Sequence, residues 1–213
     1  MTVKPASPEM ITAGHMGGDN TPALNVIHST VGPTKSGSAR AVANFFKTEK
    51  TPTSAHYTID SETEIQCVPD HRVAYHCGYN QNSLGYEMCD YPNATSMSHW
   101  LVPKSQRTGA KTVAQHHKVA PLRWLSKDHR KMLNRTAKLV ARNSLAYGIP
   151  IRLLSNAELL EWDRKGRRPQ DGGIVTHNQM SKVFKKSVHW DPGKWPRRLF
   201  LKRVRKFAKE LQP

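Results

Sequence analysis

Two histidines and one aspartate are the side chains whose type and spacing could do chemistry. His28 ends the stretch "ALNVIH" and His177 ends "GGIVTH", so each histidine follows a short apolar run typical of a buried strand. Asp191 stands fourteen residues beyond His177, directly before a Pro-Gly turn in "HWDPGKWP". Side chains at the carboxyl ends of strands open into the crevice where α/β sheets bind ligands. These three side chains are therefore candidates for one site.

Two imidazoles and a carboxylate form the donor set of a catalytic zinc site, which leaves a fourth position to water. A zinc ion held in this way lowers the pKa of that water toward ~7. Spacing alone leaves a structural interpretation open, because the chain has eleven histidines and an aspartate often caps a turn. A further alternative makes His189 the third ligand and leaves Asp191 as the turn cap.

The charge balance points to an anionic partner. The chain has 213 residues, with 33 lysines and arginines against 16 acidic residues and a formal net charge of +17. Such an excess predicts attraction to nucleic acid, acidic lipid or an anionic cell-wall polymer, without choosing among them. Interleaved aromatic residues for stacking on bases are not evident, which disfavours a specific nucleic-acid partner. No apolar run approaches ~18 residues, so we expect no membrane span. We also expect the protein to be a monomer.

Two features indicate where the protein is made. The N-terminal stretch "MTVKPASPEMITAG" has no apolar core, so we expect no secretory signal. Cys67, Cys77 and Cys89 form no CxxC pair, and we interpret them as reduced thiols of a protein synthesised in a cytosol. The minority interpretation pairs Cys67 with Cys77.

The pattern of predicted elements favours an α/β fold, with one domain built on a mixed central β-sheet flanked by helices. Residues 1–21 are rich in Pro, Gly, Thr and Ser and are interpreted as an irregular arm. Residues 22–213 form the predicted domain, interrupted at about 90–125 by a stretch without clear periodicity. A basic amphipathic helix is predicted at about 195–211. Its apolar stripe is expected to dock on the domain; the alternative is that the helix grips an anionic polymer.

A series of motifs identifies a family resemblance. In order, the chain contains "VIHST", "SAHYTID", "EIQCVPD", "VAYHCG", "NSLGYEM", "THNQM" and "HWDPGKWP". Together they resemble the zinc-dependent N-acetylmuramoyl-L-alanine amidases of type 2, which include phage lysozyme-type amidases and peptidoglycan recognition proteins. The resemblance covers about residues 22–196, and 90–125 looks like an insertion within it. It implies the fold of that family and a peptidoglycan substrate.

The resemblance also implies roles for individual residues. His28, His177 and Asp191 take the three zinc-ligand positions, and Glu87 takes the position of the catalytic glutamate. His189 occupies a position where some bacterial members carry lysine, and imidazole is cationic only below its own pKa. His56 and His76 match family histidines outside the metal shell.

The expected reaction is hydrolysis of the amide bond between N-acetylmuramic acid and L-alanine. Glu87 would accept a proton from water and pass it to the leaving amine, while His189 would donate to the oxyanion. Without a visible signal peptide, we expect a phage endolysin that is made in the host cytoplasm and reaches the cell wall after release. The alternatives are a non-catalytic peptidoglycan-recognition module and, less favoured, a nucleic-acid-binding protein.

Overall fold

The computed structural model describes residues 8–30, 33–90, 126–187, 189, 191–193 and 195–212. Its strands are β1 (Glu9–Met10), β2 (Leu24–Ser29), β3 (Tyr57–Ile59), β4 (Glu64–Gln66), β5 (Ser83–Met88) and β6 (Gly173–Thr176). Its α-helices are α1 (Ser38–Thr48), α2 (Lys127–Tyr147), α3 (Asn156–Arg164), α4 (His177–Phe184) and α5 (Arg197–Leu211). Apart from Asp90, the predicted insertion lies outside the described residues.

The six strands form one mixed sheet in the order β1-β4-β3-β5-β2-β6. Strands β3 and β4 pair antiparallel as a hairpin, and the other pairs are parallel. Strand β2 lies between β5 and β6, and all six of its residues are buried. A strand covered on both faces reads as a near-continuous apolar run, which is how "ALNVI" reads. The predicted α/β fold with a mixed central sheet is confirmed.

Local signals in the sequence set the helix ends. The Ser126 side chain accepts a hydrogen bond from the His129 N–H at the start of α2, and Gly148 ends that helix in the left-handed conformation at φ 68°. Ser155 and Glu158 form a capping box at the start of α3, and Thr176 and Gln179 form another at the start of α4. The cap at Thr176 fixes the first residue of α4, which is His177.

The sheet separates two differently built faces, because neighbouring residues of a strand point to opposite sides. On one face, Ile27 and Tyr86 pack in a cluster with residues of α2 and α5, including Leu133 and Phe200. On the opposite face, α1 covers β3 and β4, while α3 and α4 cover β2 and β6. The residues next to Ile27 and Tyr86 in sequence are His28 and Glu87. Both candidate site residues therefore lie on the face opposite α2 and α5.

Two stretches with strand-like sequences do not form strands. The sequences "RVAYHCG" at 72–78 and "IPIRLL" at 149–154 favour strands, but each contributes only an isolated bridge, at Arg72 and Leu153. The first segment turns instead, because the Asn80 side chain accepts from the N–H groups of His76 and Cys77 at 3.0 and 2.9 Å. Strand β1 lies within residues 1–21 and pairs with β4 at the sheet edge.

Two further observations concern the whole of the described chain. The thiols of Cys67, Cys77 and Cys89 are buried and form no disulfide with one another. No helix within the described residues is both long enough and apolar enough to cross a bilayer.

Candidate metal centre

The register of the sheet places the first two site residues side by side. In the parallel pairing of β2 with β5, His28 lies opposite Glu87. The distance from His28 Nδ1 to Glu87 Oε1 is 3.5 Å. His28 is buried, and the Glu87 side chain is 15 % exposed at the floor of a groove.

The other two residues reach the same point from α4 and the turn after it. His177 is held at the start of α4, and its Nδ1 lies 3.0 Å from Asp191 Oδ1. Asp191 Oδ2 lies 3.4 Å from His28 Nδ1 and accepts from the Ser29 N–H at 3.2 Å. The Asn178 N–H donates to the Asp191 carbonyl at 3.0 Å, which ties the turn to α4.

The structure thus brings together the three side chains that the sequence singles out as metal ligands. One ligand atom from each of His28, His177 and Asp191 lies within 4.8 Å of the other two, and all three residues are buried. These ligand atoms are two imidazole nitrogens and a carboxylate oxygen, a set that suits zinc. The group could hold a metal ion.

Two hydrogen-bonded relays leave the Nδ1 lone pairs of both histidines aimed at this point. His28 Nε2 lies 2.9 Å from His76 Nδ1, and His76 Nε2 lies 2.9 Å from Ser83 Oγ. The Ser83 hydroxyl donates to the Asn80 carbonyl at 2.8 Å. A carbonyl only accepts, so the Ser83 oxygen accepts from His76 Nε2–H and His76 Nδ1 accepts from His28 Nε2–H. His28 Nδ1 is left without a proton.

The second relay is shorter and has the same direction. The Ser187 hydroxyl donates to the Cys77 carbonyl at 3.1 Å, so its oxygen accepts from His177 Nε2–H at 3.3 Å. Both histidines therefore present an unprotonated nitrogen beside the Asp191 carboxylate. Three electron-rich atoms converging in a buried space repel one another unless a cation lies between them. Secondary partners of this kind fix the tautomer of metal-binding histidines.

The protonation of the site agrees with a cation-binding role. Burial, assisted by the neighbouring His177, lowers the pKa of His28 to about 4, so its ring is neutral at pH 7. Burial would raise the pKa of Asp191, but the adjacent His177 and His28 rings outweigh burial and hold that pKa below its usual value, so Asp191 is a carboxylate. Burial, with the Asp191 charge second, raises the pKa of Glu87 well above its usual value. A carboxyl group with a raised pKa suits transfer of a proton near neutral pH.

His189 lies beside the three ligands rather than among them. Its ring stacks on His177 with centroids 4.2 Å apart, and its Nδ1 is 3.8 Å from Asp191 Oδ1. The side chain is 59 % exposed, so it reaches the groove from above the converging atoms. Burial and the adjacent His177 lower its pKa.

A groove of about 1190 Å³ opens over these residues. Glu87, His177, His189 and Asp191 line its floor, and helix α1 forms one wall. In that wall Phe45 is 51 % exposed although it is a large apolar side chain. The resemblance implies that His76 lies outside the metal shell, but nothing in the local sequence predicts that its ring contacts His28. Nothing in the sequence of α1 predicts that it forms a wall of the groove.

The fold and the site define an α/β protein in which two histidines and an aspartate converge in a buried group that could hold a metal ion. Residues 18–194 match the family model of N-acetylmuramoyl-L-alanine amidase. The chain belongs to this family.

Known proteins agree with this assignment. The chain is 29% identical over 125 residues to N-acetylmuramoyl-L-alanine amidase CwlH of Bacillus subtilis, covering 53% of this chain and 49% of CwlH. It is 30% identical over 92 residues to amidase XlyA of the same organism, covering 38% of this chain and 31% of XlyA. The matched segments thus span half or less of these relatives. In fold it is similar to the Staphylococcus aureus hydrolase AmiA, at 14% identity and TM-score 0.61, covering 96% of this chain and 84% of AmiA.

Proposed function

We propose that this protein is an N-acetylmuramoyl-L-alanine amidase that hydrolyses the bond between N-acetylmuramic acid and L-alanine in peptidoglycan. The observation that carries the proposal is the convergence of His28, His177 and Asp191 beside Glu87, at the floor of an open groove. The family match supports the same reaction. The proposed catalytic domain extends over residues 22–213, with an insertion at about 90–125.

We propose Zn²⁺ as the ion and His28, His177 and Asp191 as its protein ligands. When bound, zinc would supply a Lewis acid that makes water more acidic and polarises the scissile carbonyl. The two relays that end at the Asn80 and Cys77 carbonyls keep both imidazoles in the tautomer that can ligate. Asp191 needs no such relay, because it is already a carboxylate.

Glu87 is the proposed general base and acid. Its Oε1 lies 3.5 Å from the ligating nitrogen of His28, so it lies next to the place where water would react. Glu87 accepts the proton of the attacking water and then delivers it to the amine nitrogen that leaves as the amino terminus of L-alanine. His189 stands above the ligands in the groove and donates a hydrogen bond to the oxyanion that develops on the carbonyl oxygen.

The setting of the reaction follows from substrate and charge. The substrate is a wall polymer, and a protein with a net charge of +17 is attracted to the anionic polymers of bacterial walls. We propose that the protein acts as a monomer, as an endolysin that is made in the host cytoplasm and released to the wall.

Mass spectrometry of purified peptidoglycan after digestion tests the reaction. We expect new amino termini on L-alanine, and new reducing sugar ends instead would contradict an amidase. Glu87→Gln should keep its zinc and lose turnover, whereas Glu161→Gln, at an exposed position on α3, should behave as wild type. Wall binding without any turnover by the zinc-loaded wild type would mark a recognition module.

His189→Ala separates the two roles considered for that residue. Loss of one oxyanion donor should reduce kcat by roughly 10²–10³ while zinc content stays at one ion per chain. Loss of zinc together with activity would make His189 a ligand instead.

A further inference from the structure

The outer side of α5 carries a dense array of cations. The helix has seven basic residues and one acidic residue, and so contributes six of the seventeen formal net positive charges. Its exposed basic side chains, named here the α5 surface, are Arg197, Arg198, Lys202, Arg205, Lys206 and Lys209. Residues three or four apart on a helix are neighbours about 5–6 Å apart, so these cations form a stripe along the helix.

Among the described residues, several cations on other helices lie beside carboxylates. On α2, Arg135 pairs with Glu64 at 2.7 Å, and on α3, Arg167 pairs with Asp163 at 2.7 Å. Within the described part of the chain, Lys206 with Glu210 at 3.6 Å is the ion pair formed by the α5 surface. The stripe therefore keeps an uncompensated positive potential, which attracts polyanions.

The apolar side of α5 is packed against the core of the domain, which argues against insertion of this helix into a membrane. Phe200 and Val204 are fully buried in the cluster formed with α2, and Ala208 is 6 % exposed. An amphipathic helix enters a lipid interface through its apolar side. Here that side could reach lipid only if the helix left the domain and opened the core.

The aromatic residues near α5 are engaged in the same way. Trp195 packs against Phe200 with ring centroids 5.1 Å apart, and Phe207 packs against the same core cluster. Single-stranded nucleic acids are held by exposed aromatic rings that stack on bases. Within α5, Phe200 is buried and Phe207 is half-buried, so the helix offers positive charge and no exposed ring on which a base could stack.

We propose that the α5 surface binds a phosphodiester polymer of the bacterial wall and so retains the enzyme next to its substrate. Three of the six cations are arginines, whose planar guanidinium groups match phosphate oxygens in pairs. The inference rests on the proposed function for its biological setting, and on the charge distribution of α5 for its location.

The position of α5 predicts how retention would act. Helix α5 packs on the sheet face that carries Ile27 and Tyr86, whereas the groove opens on the face of His28 and Glu87. A polymer on the α5 surface therefore leaves the groove accessible. Removing the positive charges of the α5 surface should raise the KM for intact walls and leave the turnover of a soluble muropeptide unchanged.

Sedimentation with purified walls tests the binding, with Glu87→Gln protein so that no digestion occurs. At about 0.1 M salt, the Glu87→Gln protein with an otherwise unchanged α5 surface should bind intact walls at least about tenfold more tightly than stripped walls. The stripped walls are treated with hydrofluoric acid, which removes their phosphodiester polymers. The variant R198E/K202E/R205E/K209E should bind intact walls about tenfold more weakly than the protein with the unchanged α5 surface. It should also lower the slope of log affinity against log salt by about three to four.

A matched variant makes the same change of charge elsewhere. K47E/K50E/R164E/K165E alters four exposed cations on or next to α1 and α3, and it should retain most of the binding. Equal losses for the two variants would overturn the proposal, because net charge alone would then explain the attraction. If the glutamate variant of α5 fails to fold, glutamine at the same four positions gives the same comparison.

Two further probes check the identity of the partner. Poly(glycerol phosphate) should bind more tightly than phosphatidylglycerol vesicles or a single-stranded oligonucleotide of equal charge. Tighter binding of vesicles or oligonucleotide would overturn the assignment to a wall polymer. Digestion of stripped walls by the wild-type enzyme reports on the amidase separately, so failure of the reaction and failure of the α5 surface give different results.

Discussion

The two faces of the sheet both bury polar side chains, yet they arrange them differently. On the α2 face, the Tyr57 and Tyr147 hydroxyls donate to the two oxygens of Asp70 at 2.7 and 2.9 Å. The Tyr86 hydroxyl donates to Asn25 Oδ1 at 2.8 Å on the same face. On the groove face, the relays from His28 and His177 run outward to carbonyls and leave electron-rich atoms pointing at one another.

The difference separates a structural network from a functional one. Buried polar groups that satisfy each other stabilise the fold and make no demand for a ligand. Buried groups that converge without a proton between them are costly alone, so such an arrangement favours the binding of a cation. The same sheet thus supports a closed polar core on one side and a binding site on the other.

The largest effect is expected from Asp191→Asn on the groove face. An amide keeps the shape but removes the charge that faces both imidazoles, so zinc should dissociate on dialysis. Turnover should fall by roughly 10³-fold or more, because a Lewis acid contributes several kcal/mol and each 1.36 kcal/mol is a factor of ten. Metal analysis and peptidoglycan digestion measure both. The exposed Asp128→Asn is the control, and full zinc content in Asp191→Asn would exclude Asp191 as a ligand.

A smaller effect is expected from the relays. His76→Leu leaves His28 Nε2–H without its acceptor, so the zinc dissociation constant should rise by roughly 10–100-fold in chelator competition. Ser83→Ala removes only the next link and should cost less. Ser54→Ala changes another buried serine, whose oxygen accepts from the Tyr75 N–H, and should leave zinc affinity unchanged. Equal zinc affinity in wild type and His76→Leu would show that the relay does not orient His28.

On the α2 face, Asp70→Asn should affect stability and not zinc. The side chain receives both tyrosine hydroxyls and the Gln66 amide, and an amide NH₂ would face those donors. The free energy of unfolding in urea should fall by about 1–3 kcal/mol, with zinc affinity and kcat unchanged. Tyr147→Phe removes one donor and should cost less. Reduced zinc affinity in Asp70→Asn would mean that the two faces are coupled.

The smallest effect is a dependence of stability on pH that originates at His56. The Gly85 N–H donates to its Nδ1 at 3.0 Å and its Nε2–H donates to the Arg72 carbonyl at 3.0 Å, so the folded ring is neutral. Burial lowers its pKa from 6.5 to about 4. Between these values the unfolded chain binds the proton and the folded chain does not, so stability rises with pH.

Urea unfolding at pH 7.5 and pH 5 measures this difference. The free energy of unfolding should be about 1–2 kcal/mol lower at pH 5 from His56 alone. The free energy of unfolding should be lower at pH 5 than at pH 7.5 both with and without a chelator, because His56 is not a proposed metal ligand. Equal stability at the two pH values would contradict the neutral ring.

The three candidate site residues stand out in the sequence because their signals are local, although only the resemblance to the amidase family assigns them as metal ligands. His28 and His177 each follow an apolar run, and parallel strands bring such ends to one edge of a sheet. The Pro-Gly after Asp191 marks the turn that presents it. Periodicity and turn chemistry therefore group these side chains into one candidate site, and they leave open whether that site binds a metal ion.

The relays could not be anticipated, because they depend on contacts between distant residues. His28 and His76 are 48 positions apart, and their contact requires the segment 72–78 to turn away from the sheet. Its short run of apolar residues, Val73 to Tyr75, favours a strand, but the Asn80 side chain accepts from two N–H groups that a strand would pair. The strand β1 escaped prediction for a related reason, since two residues at a sheet edge leave no periodic pattern.

Gly85 shows how closely the chemistry and the backbone are linked. A methyl carbon at this position in β5 would come within 2.8 Å of His76 Cγ, and the Gly85 N–H already holds His56. Any larger residue must therefore displace an imidazole ring on the groove face. A randomised library at position 85, sorted for lysis of bacteria, should return glycine alone, while sorting for soluble expression should admit alanine or serine.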